Sequence, residues 1–291
     1  MTDSILGFIG TGVMGEPMCR NLAAKSGRRV AAWDPASAPL ERLRAQGVEV
    51  AASAAALAAR ADVLFLCLPG GAQLESLCES ALLPAARAGL TVVDLGTSGV
   101  GRTRALAAKF AARGADYADA PIARTRQAAQ DGTLSIAVGA SPAVFARVEP
   151  LLRCLGTDVT HCGAVGNGQV VKILNNMVLF QTVNALAEAL ALGRRAGVEP
   201  ALLFDALSKG SADSFALRNH GMKAMLPGVF PERAFSVEYA AKDNGYALEL
   251  GRETGVRLRG APLVAGLLEE AKAAGLGAAY WPAIAKVVDP A

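Results

Sequence analysis

Residues 5–15 read Ile5-Leu6-Gly7-Phe8-Ile9-Gly10-Thr11-Gly12-Val13-Met14-Gly15, a short apolar run that ends in a Gly-x-Gly-x-x-Gly pattern. The residues that follow, up to about residue 25, have helical spacing. In a strand–turn–helix of this kind, the first glycine permits a tight turn and the second lets the backbone approach a pyrophosphate, while the third lets the helix pack on the strand. The helix N-terminus then faces the anion. The pattern therefore predicts a dinucleotide-binding βαβ unit.

An acidic residue strengthens this prediction and bears on the choice of cofactor. Asp34 ends the second apolar run and is placed to accept hydrogen bonds from the hydroxyls of an adenosine ribose. Its carboxylate would repel a 2′-phosphate, and Pro35-Ala36 stand where an Arg or Ser/Thr would accommodate one. We therefore expect NAD to be favoured over NADP. Asp34-Pro35 is also a turn-forming pair, which is compatible with this role.

Strand-like and helix-like segments alternate through the first half of the chain. The strand-like runs are short and apolar, and they lie at residues 5–9, 29–33, 63–68, 91–95, 117–120 and 134–138. Alternation at this spacing is typical of βαβ units. It predicts an α/β Rossmann-type domain with a doubly wound parallel sheet and helices on both faces.

The pattern changes after about residue 163. A long helical segment is predicted over 169–196, and shorter ones follow with Pro near their starts and Gly or Pro near their ends. We therefore predict two domains. Residues 1–163 form a NAD-binding Rossmann domain, and residues 164–291 form an all-helical substrate and dimerisation domain that starts with a long interdomain helix.

Two further strand ends are expected near the glycine motif, because ligands bind at the carboxyl ends of parallel strands. These ends carry Leu68-Pro69-Gly70 and Gly96-Thr97-Ser98. Thr97 could hydrogen-bond the cofactor or the substrate, although a simple turn residue would look the same. The predicted cofactor-binding residues on this domain are Gly10, Gly12, Val13, Met14, Gly15, Asp34, Leu68, Pro69 and Thr97.

The composition of the 291 residues limits the class of protein. A hydrophobic content of 52% excludes a disordered chain, and a net charge of +3 with scattered basic residues gives no sign of a nucleic-acid partner. The longest apolar stretch, residues 177–192, contains Gln181, Asn184 and Glu188, which is too polar for a membrane-spanning helix. Five cysteines without a Cys-x-x-Cys pair favour reduced thiols in a cytoplasmic protein and no zinc site.

A lysine in an apolar helix is the second informative feature. Residues 166–176 read Gly-Asn-Gly-Gln-Val-Val-Lys-Ile-Leu-Asn-Asn. Lys172 and Asn176 are four residues apart and share a helix face, with Asn175 beside them. Burying these groups is costly unless they meet polar partners, and burial lowers a lysine pKa, which suits proton transfer near neutral pH. A surface lysine on an amphipathic helix is the alternative interpretation.

In this combination the motifs resemble the β-hydroxyacid dehydrogenases, a family that includes 3-hydroxyisobutyrate dehydrogenase and tartronate semialdehyde reductase, with 6-phosphogluconate dehydrogenase a more distant relative. The resemblance covers nearly the whole chain. It rests on the glycine motif with Glu16-Pro17-Met18, the Thr97 strand end, Asp119-Ala120-Pro121, Gly132-Thr133-Leu134, the run from Gly168 to Asn176, and Lys242-Asp243. It implies hydride transfer between a nicotinamide and a small acidic β-hydroxy compound such as 3-hydroxyisobutyrate.

The resemblance also implies roles for individual residues. Lys172 is the acid/base, which takes the hydroxyl proton during oxidation and returns it during aldehyde reduction. Asn176 resembles a substrate-orienting amide, and Lys242 resembles a lysine that closes over the cofactor from the helical domain. Asp243 is expected to anchor that helix. No metal is expected, and a homodimer or homotetramer built through the helical domain is implied.

One motif departs from the family pattern. Common members follow Asp-Ala-Pro with a hydrophobic residue and Ser-Gly-Gly, whose serine and backbone amides bind the substrate carboxylate. Here Ala123 replaces the serine and Arg124 the first glycine, followed by Thr125 and Arg126. The Arg-Thr pair resembles the sulfolactaldehyde reductase branch, in which arginine helps to hold a sulfonate. We predict that Arg124 binds the substrate anion through its guanidinium fork, with Thr125 assisting.

Other interpretations stay open at this stage. Arg124 could instead be a surface residue or contact a cofactor phosphate, and Arg126 could be merely solvated. The predicted substrate-binding residues are Arg124, Thr125, Ala123 and Asn175. An imine reductase and a non-catalytic nucleotide-binding module share the architecture, but both are expected to lack the lysine at position 172.

Overall fold

The computed structural model describes residues 5–232 and 234–290. The chain divides between Lys172 and Ile173 into two compact units. The first unit is α/β and the second is helical, as the sequence predicts. The division falls inside the long helix, whereas the predicted domain boundary at residue 163 lies before that helix begins.

A six-stranded parallel sheet forms the centre of the first unit, in the order β3-β2-β1-β4-β5-β6. The strand order reverses between β1 and β4, and such a switch point opens the crevice in which Rossmann-type sheets bind nucleotides. All five residues of the first strand are buried, because helices cover both faces of the sheet. The strands are β1 (Ile5–Ile9), β2 (Arg29–Trp33), β3 (Glu49–Val50), β4 (Val63–Leu66), β5 (Thr91–Asp94) and β6 (Asp116–Asp119).

Helices cover the two faces of this sheet, and each face has its own apolar core. The ring centroids of Phe8 and Phe65 are 6.1 Å apart in one core. Those of Phe110 and Tyr117 are 5.7 Å apart in the other. The α4 helix continues through a π-helical segment, Cys78–Leu82, into α5. The helices are α1 (Gly15–Lys25), α2 (Ser37–Arg44), α3 (Ala54–Arg60), α4 (Gly71–Leu77), α5 (Leu83–Ala85) and α6 (Val100–Ala111).

A second, three-stranded sheet completes the first unit. It consists of β7 (Ile122–Ala123), β8 (Leu134–Val138) and β9 (Gly156–His161), with α7 (Arg126–Asp131) and α8 (Pro142–Leu152) between its strands. The β7 and β8 strands are antiparallel, and β8 and β9 are parallel. The predicted strand over 134–138 is therefore present, but in a separate sheet. The β9 strand has no apolar signal in the sequence because most of its residues face solvent.

The second unit is helical, as predicted. Its core includes Phe180 and Trp281, whose rings meet edge to face with centroids 4.8 Å apart. Near them a 2.6 Å hydrogen bond joins the Tyr280 hydroxyl to the His220 Nδ1. Burial lowers the His220 pKa to about 4, so this imidazole is neutral at pH 7. The helices are α9 (Asn167–Arg195, which starts in the first unit), α10 (Pro200–Ser208), α11 (Val237–Thr254), α12 (Gly260–Ala273) and α13 (Ala285–Val288), with a π-helical segment, Leu217–Met225, and a 3₁₀ turn, Trp281–Ile284.

The long α9 helix is the one segment of the described chain that is long and apolar enough to cross a membrane. Length and composition alone do not indicate a span, because the core helix of a soluble protein meets the same criterion. Polar groups interrupt α9, and the Asn184 amide donates a hydrogen bond to Glu188 at 3.1 Å. Phe180, Val183 and Leu190 on the same helix are buried in the core of the helical unit.

Candidate active site

The glycine motif forms the turn between β1 and α1, and its three glycines face different surroundings. Gly10 has a φ of +90°, and a Cβ there would lie 2.3 Å from the Cys67 carbonyl oxygen. A Cβ on Gly15 would lie 1.8 Å from the Gly10 carbonyl oxygen. A Cβ on Gly12 would meet nothing within 4 Å. The protein's own backbone therefore requires Gly10 and Gly15, whereas the space beside Gly12 is open, as the predicted approach of a pyrophosphate to the backbone requires.

Asp34 lies directly after β2 and binds the glycine turn. Its Oδ2 accepts a hydrogen bond from the Thr11 backbone N–H at 2.6 Å, and its Oδ1 accepts one from the Ala36 N–H at 2.9 Å. The carboxylate thus forms the predicted turn and also joins the end of β2 to the loop after β1. Both carboxylate oxygens of Asp34 are therefore held by backbone amides at the carboxyl edge of the sheet.

The loops after β4 and β5 lie side by side. A small hollow is lined by residues of both, including Leu68, Gly70 and Thr97. The Asp94 carboxylate is buried and accepts a hydrogen bond from the Gly96 N–H at 2.9 Å, which holds the second loop. The structure therefore brings Leu68 and Thr97 together at the carboxyl edge of the sheet, as the parallel topology requires.

A buried carboxylate binds the start of α9 to the carboxyl edge of the six-stranded sheet. Asp119, at the end of β6, accepts hydrogen bonds from the Gly166 N–H at 2.6 Å and the Gln169 N–H at 2.8 Å. Burial raises the Asp119 pKa to about 6, although these hydrogen bonds lower it. Lys172, half-buried, follows on the second turn of α9. The helix that carries the predicted acid/base is thus held by the sheet at its first turn.

Gln169 is a site residue that the sequence analysis did not single out. Its side chain is fully buried, and its amide hydrogen-bonds the backbone of Gly96 and Ser98 in the loop after β5. The sequence context of Gln169, a polar amide among apolar helix residues, could have identified it. A glutamine amide inside an apolar helix must find partners or pay a desolvation penalty, as argued for Lys172.

The helical unit contains a second polar cluster. The Asn176 Nδ2 donates a hydrogen bond to the Asp243 carboxylate at 2.8 Å, and the Asn175 Nδ2 donates one to the Asn176 Oδ1 at 3.1 Å. The Lys242 ammonium lies 3.2 Å from Asp243 and 5.2 Å from the Tyr239 ring centroid. Asn176 and Asp243 are both buried. The cluster connects α9 to α11 and brings Asn175 and Asn176, which the sequence analysis selected together, next to Lys242, which it selected separately.

Arg124 has a backbone conformation that normally belongs to glycine. Its φ is +85°, and it is the one non-glycine residue with positive φ in the part of the chain that the structure describes. Its guanidinium donates hydrogen bonds to the Thr133 carbonyl at 2.6 Å and the Thr157 hydroxyl at 3.0 Å, and it pairs with Asp158 at 2.6 Å. Hydrogen bonds from Thr157 and Arg124 lower the pKa of Asp158. The side chain therefore lies against the second sheet.

The neighbours of Arg124 have local structural roles. Ala123 pairs with Ser135 in the second sheet. Thr125 is the N-cap of α7, and its hydroxyl accepts a hydrogen bond from the Ala128 N–H at 3.3 Å. Arg126 is exposed on the first turn of that helix. Within residues 5–232 and 234–290, no group of three or more His, Cys, Asp or Glu residues is arranged to hold a metal ion.

Comparison with known proteins agrees with this geometry. Residues 5–163 match the NAD binding domain of 6-phosphogluconate dehydrogenase, and residues 166–288 match a family described as NAD-binding of NADP-dependent 3-hydroxyisobutyrate dehydrogenase. The chain is 36% identical over 284 residues to 2-(hydroxymethyl)glutarate dehydrogenase of Eubacterium barkeri, covering 97% of this chain and 94% of that one. It is 36% identical over 258 residues to 3-hydroxyisobutyrate dehydrogenase of Pseudomonas aeruginosa, covering 85% of each.

Solved structures show the same relationship. The 3-hydroxyisobutyrate dehydrogenase of Mycobacterium tuberculosis, solved with L-serine, superposes with a TM-score of 0.88 at 28% identity, covering 98% of this chain and 99% of that one. An imine reductase from a Pseudomonas species superposes with a TM-score of 0.64 at 19% identity, a likeness of fold alone. The fold and these matches define an NAD(P)-dependent oxidoreductase that acts on hydroxyl groups. More specifically, the chain belongs to the β-hydroxyacid dehydrogenase family.

Proposed function

We propose that this protein is an NAD-preferring dehydrogenase of small acidic β-hydroxy compounds, with 3-hydroxyisobutyrate-like carboxylates as substrates and Lys172 as the acid/base. The observation that carries the proposal is the attachment of the Lys172 helix to the carboxyl edge of the nucleotide-binding sheet through Asp119. The relatives support the substrate class, since their names specify 2-(hydroxymethyl)glutarate, 2-hydroxy-3-oxopropionate and 3-hydroxyisobutyrate.

The chemistry follows from the residues in these positions. The bound nicotinamide supplies the hydride acceptor in oxidation and the hydride donor in reduction. The neutral Lys172 amine accepts the hydroxyl proton as the C–H bond breaks and the carbonyl forms, and in the reverse direction the ammonium returns that proton. Asn176, whose side chain Asp243 holds, orients the substrate. Lys242 is a further cofactor-binding candidate, as the family resemblance implies.

The choice of NAD over NADP rests on Asp34. Its carboxylate is held at the end of β2 by the Thr11 and Ala36 amides, so it cannot turn away from a ribose without breaking two hydrogen bonds. A fixed negative charge at this position accepts hydrogen bonds from ribose hydroxyls and repels a 2′-phosphate.

A substrate panel tests the proposal. Initial rates are measured with NAD and with NADP for 3-hydroxyisobutyrate, 2-(hydroxymethyl)glutarate, glycerate, serine, 4-hydroxybutyrate and 2,3-dihydroxypropane-1-sulfonate. We expect the highest kcat/KM with NAD and a β-hydroxy carboxylate. No turnover of any of these compounds would overturn the proposal, and a higher kcat/KM with NADP than with NAD would contradict the role of Asp34.

A second candidate, 3-sulfolactaldehyde reductase, is favoured by Arg124. The guanidinium already pairs with Asp158, but the side chains of the two residues are 41% and 55% exposed. An exposed ion pair contributes only about 0–1 kcal/mol, so a substrate sulfonate or carboxylate can share or replace it. The arginine also keeps a φ of +85°, which costs a non-glycine residue about 1–2 kcal/mol. Such a cost is consistent with a functional guanidinium at this position.

Paired variants test the anion-binding role of Arg124. Arg124→Ala should raise KM for the best acidic substrate by about 10-fold or more, because it removes a charge-assisted hydrogen bond. Asp158→Asn should lower that KM by up to about fivefold, because it releases the guanidinium from an exposed ion pair. Unchanged KM values in both variants would mean that Arg124 only stabilises the second sheet and does not bind the substrate. Arg124→Gly serves as the control, since it relieves the backbone while removing the charge.

We also propose a cytoplasmic homodimer or homotetramer assembled through the helical domain. The α9 helix carries exposed apolar side chains, among them Val178 at 59% and Leu192 at 70% exposure, and such surface is typical of an interface. Sedimentation of the purified protein as a monomer would contradict this assembly.

A further inference from the structure

The Gln169 side chain joins two parts of the α/β unit that carry different predicted functions. Its Nε2 donates a hydrogen bond to the Gly96 carbonyl at 2.8 Å, and its Oε1 accepts one from the Ser98 N–H at 3.1 Å. The two bonds bracket Thr97, the loop residue predicted to contact the cofactor or substrate. Gln169 itself lies three residues before Lys172 on the same helix.

Each of the two joined parts is also attached to the sheet separately. The loop is held by Asp94 at the Gly96 N–H, and by a 2.8 Å hydrogen bond between the Ser98 and Thr103 hydroxyls. The helix is held by Asp119 at the backbone of its first turn. The Gln169 amide links the loop directly to the helix, and it is fully buried. Water therefore does not compete for its two hydrogen bonds, which fix the distance between the loop and the helix.

We propose that Gln169 is a positioning residue that keeps the 96–98 loop in register with Lys172. The inference rests on the acid/base role proposed for Lys172. In the proposed oxidation, hydride leaves the carbinol carbon for the cofactor and the proton leaves the carbinol oxygen for Lys172. Both transfers need a fixed distance between Lys172 and the 96–98 loop, which is predicted to contact the cofactor or the substrate. A displacement of about 1 Å at such a site costs on the order of 100-fold in rate.

The shape and chemistry of glutamine suit this task. A primary amide carries a donor and an acceptor on one rigid planar group, as the Gly96 carbonyl and the Ser98 N–H require. Asparagine is one methylene shorter and does not reach both groups. A glutamate carboxylate accepts from Ser98 but presents no donor to Gly96, and leucine leaves both backbone groups without this partner.

The test compares Gln169→Leu with a matched control, Asn21→Leu. Asn21 is also a buried amide of the α/β unit with two hydrogen bonds to backbone, to the Ala129 and Gln130 carbonyls at 2.9 and 3.1 Å. Both variants should lose thermal stability to a similar extent. Gln169→Leu should lower kcat by about 100-fold, a loss larger than any change in the NAD dissociation constant, to which Thr97 is predicted to contribute. Asn21→Leu should keep the wild-type kcat, and an equal loss of kcat in the two variants would overturn the proposal.

Hydrogen–deuterium exchange supplies a readout that needs no turnover. In Gln169→Leu, amides of the 96–98 loop and of the first turn of α9 should both exchange about tenfold faster, and in Asn21→Leu neither should change. Wild-type exchange at both segments would overturn the proposal. If the wild-type protein turns over no β-hydroxy acid, the proposed function fails, while the exchange experiment still decides whether Gln169 couples loop and helix. If the wild-type protein is active and Gln169→Leu keeps its kcat, only the positioning role fails.

Discussion

Lys172→Ala is expected to lower kcat for β-hydroxy acid oxidation by about 10³-fold, within the range that a positioned acid/base group contributes. Without the amine, the hydroxyl proton must leave to water as the hydride departs, and the carbonyl product is no longer stabilised by a nearby ammonium. NAD binding should stay near the wild-type level, because the predicted cofactor residues lie in the loops of the nucleotide-binding sheet and on α11. Stopped-flow measurement of NADH formation, with NAD affinity from fluorescence titration, checks both parts.

A charge-conserving variant separates proton transfer from electrostatics. Lys172→Arg supplies the positive charge that the lysine has in its ammonium form but cannot accept a proton near neutral pH, since the guanidinium stays protonated. It should therefore be as inactive as Lys172→Ala, whereas a small primary amine added to Lys172→Ala should restore part of the rate. Retention of kcat within about threefold in either variant would exclude Lys172 as the acid/base.

Gly12→Ala weakens NAD binding by about 10- to 100-fold without loss of stability. The added Cβ meets no protein atom within 4 Å, so the free protein accommodates it. The methyl group instead occupies space in which the pyrophosphate approaches the backbone, and overpacking of this kind costs about 1–3 kcal/mol. Calorimetric titration of NAD together with urea unfolding checks the two expectations.

Gly15→Ala is the contrasting variant in the same motif. Its Cβ would lie 1.8 Å from the Gly10 carbonyl oxygen, which is backbone and cannot rotate away. The free energy of unfolding should therefore fall by more than about 3 kcal/mol, whether or not NAD is present. Normal stability in Gly15→Ala, or lost stability in Gly12→Ala, would show that the glycine turn does not have this geometry.

The elements that the sequence predicts well are those with strong local patterns. The β1 strand, the glycine turn and α1 form one continuous signal, because the positive φ of Gly10 and the close approach of Gly15 to the Gly10 carbonyl both arise within the turn itself. The long α9 helix and the change from α/β to helical structure follow from periodicity in the same way. The second sheet is less predictable, since β7 has two residues and most of β9 faces solvent.

The candidate site also contains some relations that local sequence predicts and others that only tertiary structure decides. Local sequence predicts a nucleotide-binding turn at Gly10, Gly12 and Gly15, and it determines that Lys172 shares a helix face with Asn176, because both relations depend only on backbone geometry. Tertiary structure alone decides that Arg124 pairs with Asp158, 34 residues away, and that Gln169 bonds Gly96, 73 residues away. The sequence shows that a buried amide or a guanidinium needs hydrogen-bond partners. Sheet topology determines which groups lie within hydrogen-bonding distance of it.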